Sequence, residues 1–105
     1  MTHSVFVGHG RVLVPRGTYD CYLGGAESAA LIERDDQILL LPLRGPVAGG
    51  MLLKQRNLRG DRVMLATDFL DRLGWDTFSP ETEFEVRWIA EAGALLIQGL
   101  GAPRA

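Results

Sequence analysis

One cysteine, Cys21, stands among 105 residues. An intrachain disulfide is therefore excluded, and so are the cysteine-based zinc motifs. Histidine is nearly as scarce. His3 and His9 are the two present, and neither stands at a metal-ligand spacing from Cys21 or Asp20. No metal site and no cofactor are expected. No apolar run approaches the roughly 18 residues of a membrane span. The opening MTHSVFVGHG lacks the charged start and long apolar stretch of a secretory signal. The expectation is a cytoplasmic protein with no membrane association. A large charge of one sign is also lacking, since the formal net charge is −2. A chain-wide electrostatic grip on nucleic acid is thus not expected, and any such contact has to come from a local basic patch.

What is present is enough apolar content for a core: 47% hydrophobic against 23% charged residues. A chain of this length fits a single domain over residues 1–105. Two β-rich runs, Val5–Val7 and Arg11–Val14, flank Gly8 and Gly10, and Pro15 stops the second. RGTYDCYLGG reads as a loop or short turn-like helix. Ala30–Glu33 and Gln37–Leu41 read as strands, with a hairpin turn at Arg34-Asp35-Asp36. The run Ile38-Leu39-Leu40-Leu41 does not alternate, which implies burial on both faces. RGPVAGG, residues 44–50, forms a Gly/Pro hinge. Residues 51–57 then read as a strand, and Leu58–Asp61 as a turn before a strand at Arg62–Leu65. A helix is expected over Phe69–Leu73, capped by Thr67 or Asp68 and stopped by Gly74, with Phe69, Leu70 and Leu73 inward. EFEVRWI and ALLIQGL form a closing hairpin, and GAPRA is a tail.

The two halves, residues 5–43 and 51–100, follow one order. GRVLVP…YLGG…ALIERDDQILLLPL is matched by DRVMLA…RLGW…FEVRWIAEAGALLIQGL. Each contains a turn, an Arg-Val strand, a short helical stretch, Leu-Gly and a hairpin. A half of about 45 residues cannot bury its own apolar strands, so two halves packed together are expected to close one small barrel.

This order resembles the AbrB, MazE and MraZ group of swapped-hairpin β-barrel proteins. The clearer match is KQRNLRGDRVMLATDFLDRLGW…EFEVRWIAEAGALLIQGL, from Lys54 to Leu100, and the first half keeps GRVLVP with its proline. Ala66 stands where the second copy's proline would be. The resemblance implies a mostly β, AbrB-like fold: one or two short helices and a small barrel of two pseudo-symmetric hairpin-rich halves. It also implies a DNA-binding transcriptional regulator that works as an oligomer. The alternative is a non-enzymatic interaction or assembly subunit that keeps the barrel and binds a larger protein.

The chemistry-bearing residues are few. Lys54, Arg56, Arg59 and Arg62 place four cations within nine residues, a candidate for phosphate and base-edge contacts; the same residues also suit a solvated hairpin edge. Arg11, Arg16 and Arg44 extend the patch if the repeat sets them alongside. GHGR at Gly8–Arg11 is too short for a phosphate loop and suits a tight turn. Cys21 reads as a small core residue. Asp35-Asp36 fits turn chemistry, and Glu81, Glu83 and Glu85 fit the exposed face of a strand. No catalytic residues are expected. Trp75, Trp88, Phe78 and Phe84 read as core; Trp75 and Phe78, if exposed, mark a partner surface.

Overall fold

The computed structural model describes residues 2–45 and 50–101. The strands are β1 (His3–Gly8), β2 (Arg11–Val14), β3 (Ser28–Arg34), β4 (Gln37–Leu43), β5 (Met51–Leu52), β6 (Lys54–Gln55), β7 (Arg62–Leu65), β8 (Thr82–Ile89) and β9 (Ala94–Ile97). Helix α1 (Arg16–Thr18) runs on into a π-helical turn at Tyr19–Leu23, and α2 spans Thr67–Arg72. All strands join one antiparallel sheet in the order β5-β3-β4-β9-β8-β1-β2-β7-β6. Its edge strands, β5 and β6, are joined through Leu53, so the sheet curls into a nearly closed barrel.

The pairings repeat when the halves are exchanged. β1–β2 corresponds to β6–β7, β3–β4 to β8–β9, and β1–β8 to β5–β3. β2 pairs with β7 and β4 with β9, like with like. Strands β5 and β6 together take the place that β1 holds in the first half. Residue by residue, the matching is offset from the motif alignment. Val12 pairs with Met64, both inward and fully buried, whereas Arg11 pairs with exposed Leu65 and Arg62 with buried Val14. The two arginines that match in GRVLVP and DRVMLA therefore stand at opposite ends of the β2–β7 pair.

Alternation builds the core. Val5, Val7, Val12, Val14, Ile38, Leu40, Leu95 and Ile97 line the barrel interior and are fully buried. Each contributes on the order of 1.5–3 kcal/mol by leaving water. Tyr19, Leu23, Leu70 and Trp75 pack in from the helices and the segment after α2. The non-alternating run in β4 is buried on both faces: Leu39 joins a second cluster with Ala94 and Leu96.

Both tight turns need left-handed backbone. His9 and Gly10 have φ of 52° and 72°, and Asp35 and Asp36 have φ of 52° and 63°. These are two-residue hairpin turns with both central residues at positive φ, the form whose twist suits antiparallel strands. The second turn is tighter than the expected three residues, because Arg34 pairs with Gln37.

Three expectations change. The strand over 51–57 is broken at Leu53, which turns its side chain into the core, and the strand ends at Gln55. Neither Thr67 nor Asp68 caps α2: Ala66 occupies the cap position, and the Thr67 hydroxyl donates to Gly10 O at 3.3 Å. The helix also starts earlier and ends at Arg72, one residue before Leu73. Of the 44–50 hinge, residues 46–49 lie outside the described residues, as does the tail after Gly101.

Gly8 marks a close approach: a Cβ there would stand 2.5 Å from Glu81 Cα. Gly8→Ala should lower stability by about 1–3 kcal/mol, read as a shift of the urea midpoint. An unchanged midpoint would show that β1 does not meet Glu81 in this way.

Candidate functional site

The loop Arg56–Asp61 joins β6 to β7 and carries Arg56 and Arg59 of the basic cluster. It is held from within. Asn57 Nδ2 donates to Asp61 Oδ2 at 2.9 Å, and the Asp61 amide donates back to Asn57 Oδ1 at 3.2 Å. The Arg56 amide donates to Asp61 O at 2.7 Å, and Gly60 N to Asn57 O at 3.2 Å. Gln55 Nε2 adds a bond to Asn57 O at 2.8 Å. The loop is also tied across the barrel, since the Arg16 amide at the start of α1 donates to Asp61 Oδ1 at 2.9 Å. The first half repeats this tie: Gly10 O accepts from Ala66 N at 2.9 Å, at the start of α2. Each hairpin tip thus docks on the helix of the other half.

Asp61 is the hub of the loop. The Asn57 hydrogen bond, then the Arg16 amide, and then the Arg59 and Arg56 charges favour its carboxylate; partial burial opposes them, and the net effect holds its pKa below the ordinary value. Arg59 lies 3.4 Å from Asp61 Oδ2 while its own side chain stays 82% exposed. Such an exposed pair contributes little stability, so Arg59 remains open to an outside anion.

The structure brings part of the basic set together. Arg56 and Arg59 project from the braced loop, exposed Lys54 lies in the adjoining strand, and exposed Arg16 packs its side chain along Gly60. Arg16 Nε also pairs with Asp20 at 3.3 Å. Arg62, half-buried in β7, is engaged differently. Its guanidinium carbon lies 4.4 Å from the Tyr19 ring centre, a cation–π contact. Its Nε is buried with no hydrogen-bond partner among the described residues. Arg11 sits at the other end of the β2–β7 pair, beside Leu65, and Arg44 lines a separate groove.

The aromatic set divides. Trp75 is in the core, 4% exposed, with its ring edge-on to Phe84 at 5.7 Å. As placed, it offers no partner surface. Phe78 is 90% exposed. Trp88 stacks on Tyr22 with ring centres 6.2 Å apart and planes 12° from parallel. Tyr22 meets His3 edge-on at 5.2 Å, and its hydroxyl is 3.3 Å from His3 Nδ1. Burial first, and then the Cys21 thiol, push the Tyr22 phenol above its ordinary pKa. Cys21 itself is an exposed free thiol, not the core residue that its type suggests. Tyr22 and Trp88 belong to an open groove of about 1160 Å³ that no sequence motif marks.

Glu81, Glu83 and Glu85 are exposed on and beside β8, and Glu83 accepts from Ser4 Oγ at 2.6 Å. Among the described residues, no three or more His, Cys, Asp or Glu side chains are grouped as metal ligands. No helix among them is long and apolar enough to cross a membrane. No family model matches the chain, and neither a curated protein nor a solved structure matches it.

The Asp61 hub sets a pH signature. Because its folded-state pKa is depressed, its contribution to stability is present above the ordinary value of about 3.9 and is lost as pH falls through the folded value. Following the Arg16 amide shift through an acid titration should give a midpoint below that ordinary value. Asp61→Ala should remove the transition. A midpoint at or above the ordinary value would mean that the clamp does not persist in solution.

Proposed function

We propose that this chain is a cytoplasmic, non-enzymatic DNA-binding regulator of the AbrB-like swapped-hairpin type. Its contact surface is the corner formed by Lys54, Arg56, Arg59 and Arg16. The observation that carries this reading is the Asn57–Asp61 clamp. It fixes a hairpin tip whose arginines point outward, so little loop entropy is given up when they meet phosphates. The exchange-invariant strand pairing supports the swapped-hairpin assignment, since each half supplies the strands that the other lacks. Arg56 and Arg59 are suited to bidentate contacts with guanine edges or phosphates, and Lys54 and Arg16 to phosphate alone. Arg62 is assigned to the barrel rather than to the contact surface, because its guanidinium is engaged on Tyr19.

A second reading is a protein-binding accessory subunit that has kept the barrel. The exposed Phe78, in a segment flanked by Asp76 and Glu81, favours it: an acidic surround repels phosphate and suits a basic protein surface.

Selection from random duplexes at varied salt tests the first reading. Enrichment of one sequence is expected, with affinity falling as salt rises. Arg56→Ala and Arg59→Ala should each lower the log–log salt slope by about 0.9 for every phosphate that the variant no longer neutralises. Arg62→Ala should lower thermal stability and leave the slope unchanged. No binding at low salt, or an equal drop in affinity for all three variants, would overturn the DNA reading.

A further inference from the structure

The tip of the β6–β7 loop carries an apolar side chain where turn chemistry favours a polar one. The Gly60 amide closes on Asn57 O at 3.2 Å, so Leu58 and Arg59 are the two central residues of a β-turn. Leu58 is fully exposed, at 101%, and the Arg59 side chain beside it is 82% exposed. Both are braced from below by the Asn57–Asp61 pair and by the Arg56 amide bond to Asp61 O at 2.7 Å. Leu58 therefore buries nothing within the chain, and an apex held in this way gives up little freedom when it docks.

The surroundings decide what such an apex meets. Lys54, Arg56, Arg59 and Arg16 are all exposed near it, so an anionic surface fits. A bilayer is the poorer match. The other exposed large hydrophobics among the described residues, Ile32, Leu52, Leu65, Phe78 and Trp88, lie outside this loop, and one leucine offers too little apolar area to anchor in lipid. A base edge is the better match. The thymine C5-methyl is the apolar group that the major groove displays, and that groove admits a two-stranded ribbon such as β6–β7. Adjacent Cα atoms stand about 3.8 Å apart, and adjacent bases of one strand about 3.4 Å. The two side chains of the apex can thus address neighbouring bases.

We propose that Leu58 reads a thymine methyl in the major groove, next to a guanine held by Arg59. Arg59 donates to O6 and N7 of the guanine, and Leu58 covers the neighbouring methyl. The inference rests on the DNA reading and adds to its contact surface a specificity-determining residue that carries no charge.

The test starts from the duplex enriched by selection. Each of its thymines is replaced in turn by uracil, which removes the methyl and leaves base pairing unchanged. Affinities of the full chain are read by fluorescence anisotropy. At one thymine, beside a guanine, uracil should weaken binding about fourfold, the effect of one buried methyl. Leu58→Ala should bind the thymine duplex more weakly than the unsubstituted chain does, and should bind the thymine and uracil duplexes equally. Its log–log salt slope should be unchanged, because no phosphate contact is lost. Arg56→Ala should do the reverse, lowering the slope and keeping the uracil effect. A proton–nitrogen NMR spectrum checks that each variant keeps the fold. Salt-dependent duplex binding with a uracil effect at no thymine, or with one that persists in Leu58→Ala, would overturn the proposal and leave the DNA reading standing. Absence of duplex binding at low salt would overturn both. Binding to phosphatidylserine vesicles that Leu58→Ala abolishes, with duplex affinity untouched by that change, would overturn the proposal by assigning the apex to lipid.

Discussion

Everything in this molecule depends on one requirement: neither half can bury its own strands. β2 has β1 on one side and needs β7 on the other, and β4 has β3 and needs β9. A half alone would leave Val12, Val14, Ile38 and Leu40 in water and one edge of each of its four strands unpaired, a state that favours aggregation. Pairing between the halves, β2 with β7 and β4 with β9, and β1 with β8 and β3 with β5, resolves both problems at once. It also fixes where the hairpin tips fall, because each tip then meets the first residues of the opposite helix. The Asp61–Arg16 and Gly10–Ala66 bonds follow from that placement. Joining the halves in one chain makes the pairing intramolecular, so it does not depend on protein concentration.

The strands are legible where the pattern is strong. The run from Ile38 to Leu41 announces two-sided burial through its lack of alternation, and the structure puts Ile38 and Leu40 inside and Leu39 outside in a second buried cluster. The repeated order of turn, strand, helix and hairpin announces a barrel. What the sequence conceals is the matching of the copies. Arg11 and Arg62 align as letters, yet pairing depends on register, and a one-residue offset reverses the face that a residue takes. By letters alone Arg62 belongs with Lys54, Arg56 and Arg59; in the fold it faces Tyr19.

The site is legible in part. Clustered charge is visible in a sequence, and so is the Lys54–Arg59 corner. Arg16 joins it through a contact between residues far apart in the chain. The Asn57–Asp61 clamp is hidden because a loop's hydrogen bonds have no periodicity. Trp75 and Phe78 are near neighbours in sequence, but the turn at Asp76 separates them: one side chain goes into the core and the other into solvent. Tyr22 and Trp88, far apart in the sequence, meet because the barrel brings the π-helical turn against the end of β8.

The matching halves have a further consequence at the two hairpin tips. In an assembly of two identical chains, both tips would carry the same residues, and any change would be made twice. Here they differ. The first is a bare His9–Gly10 turn beside an acidic segment, and the second is a longer loop bearing arginines. The scaffold keeps its twofold plan while the surface departs from it. A molecule of this kind has a front and a back, and whatever it grips is met in one orientation.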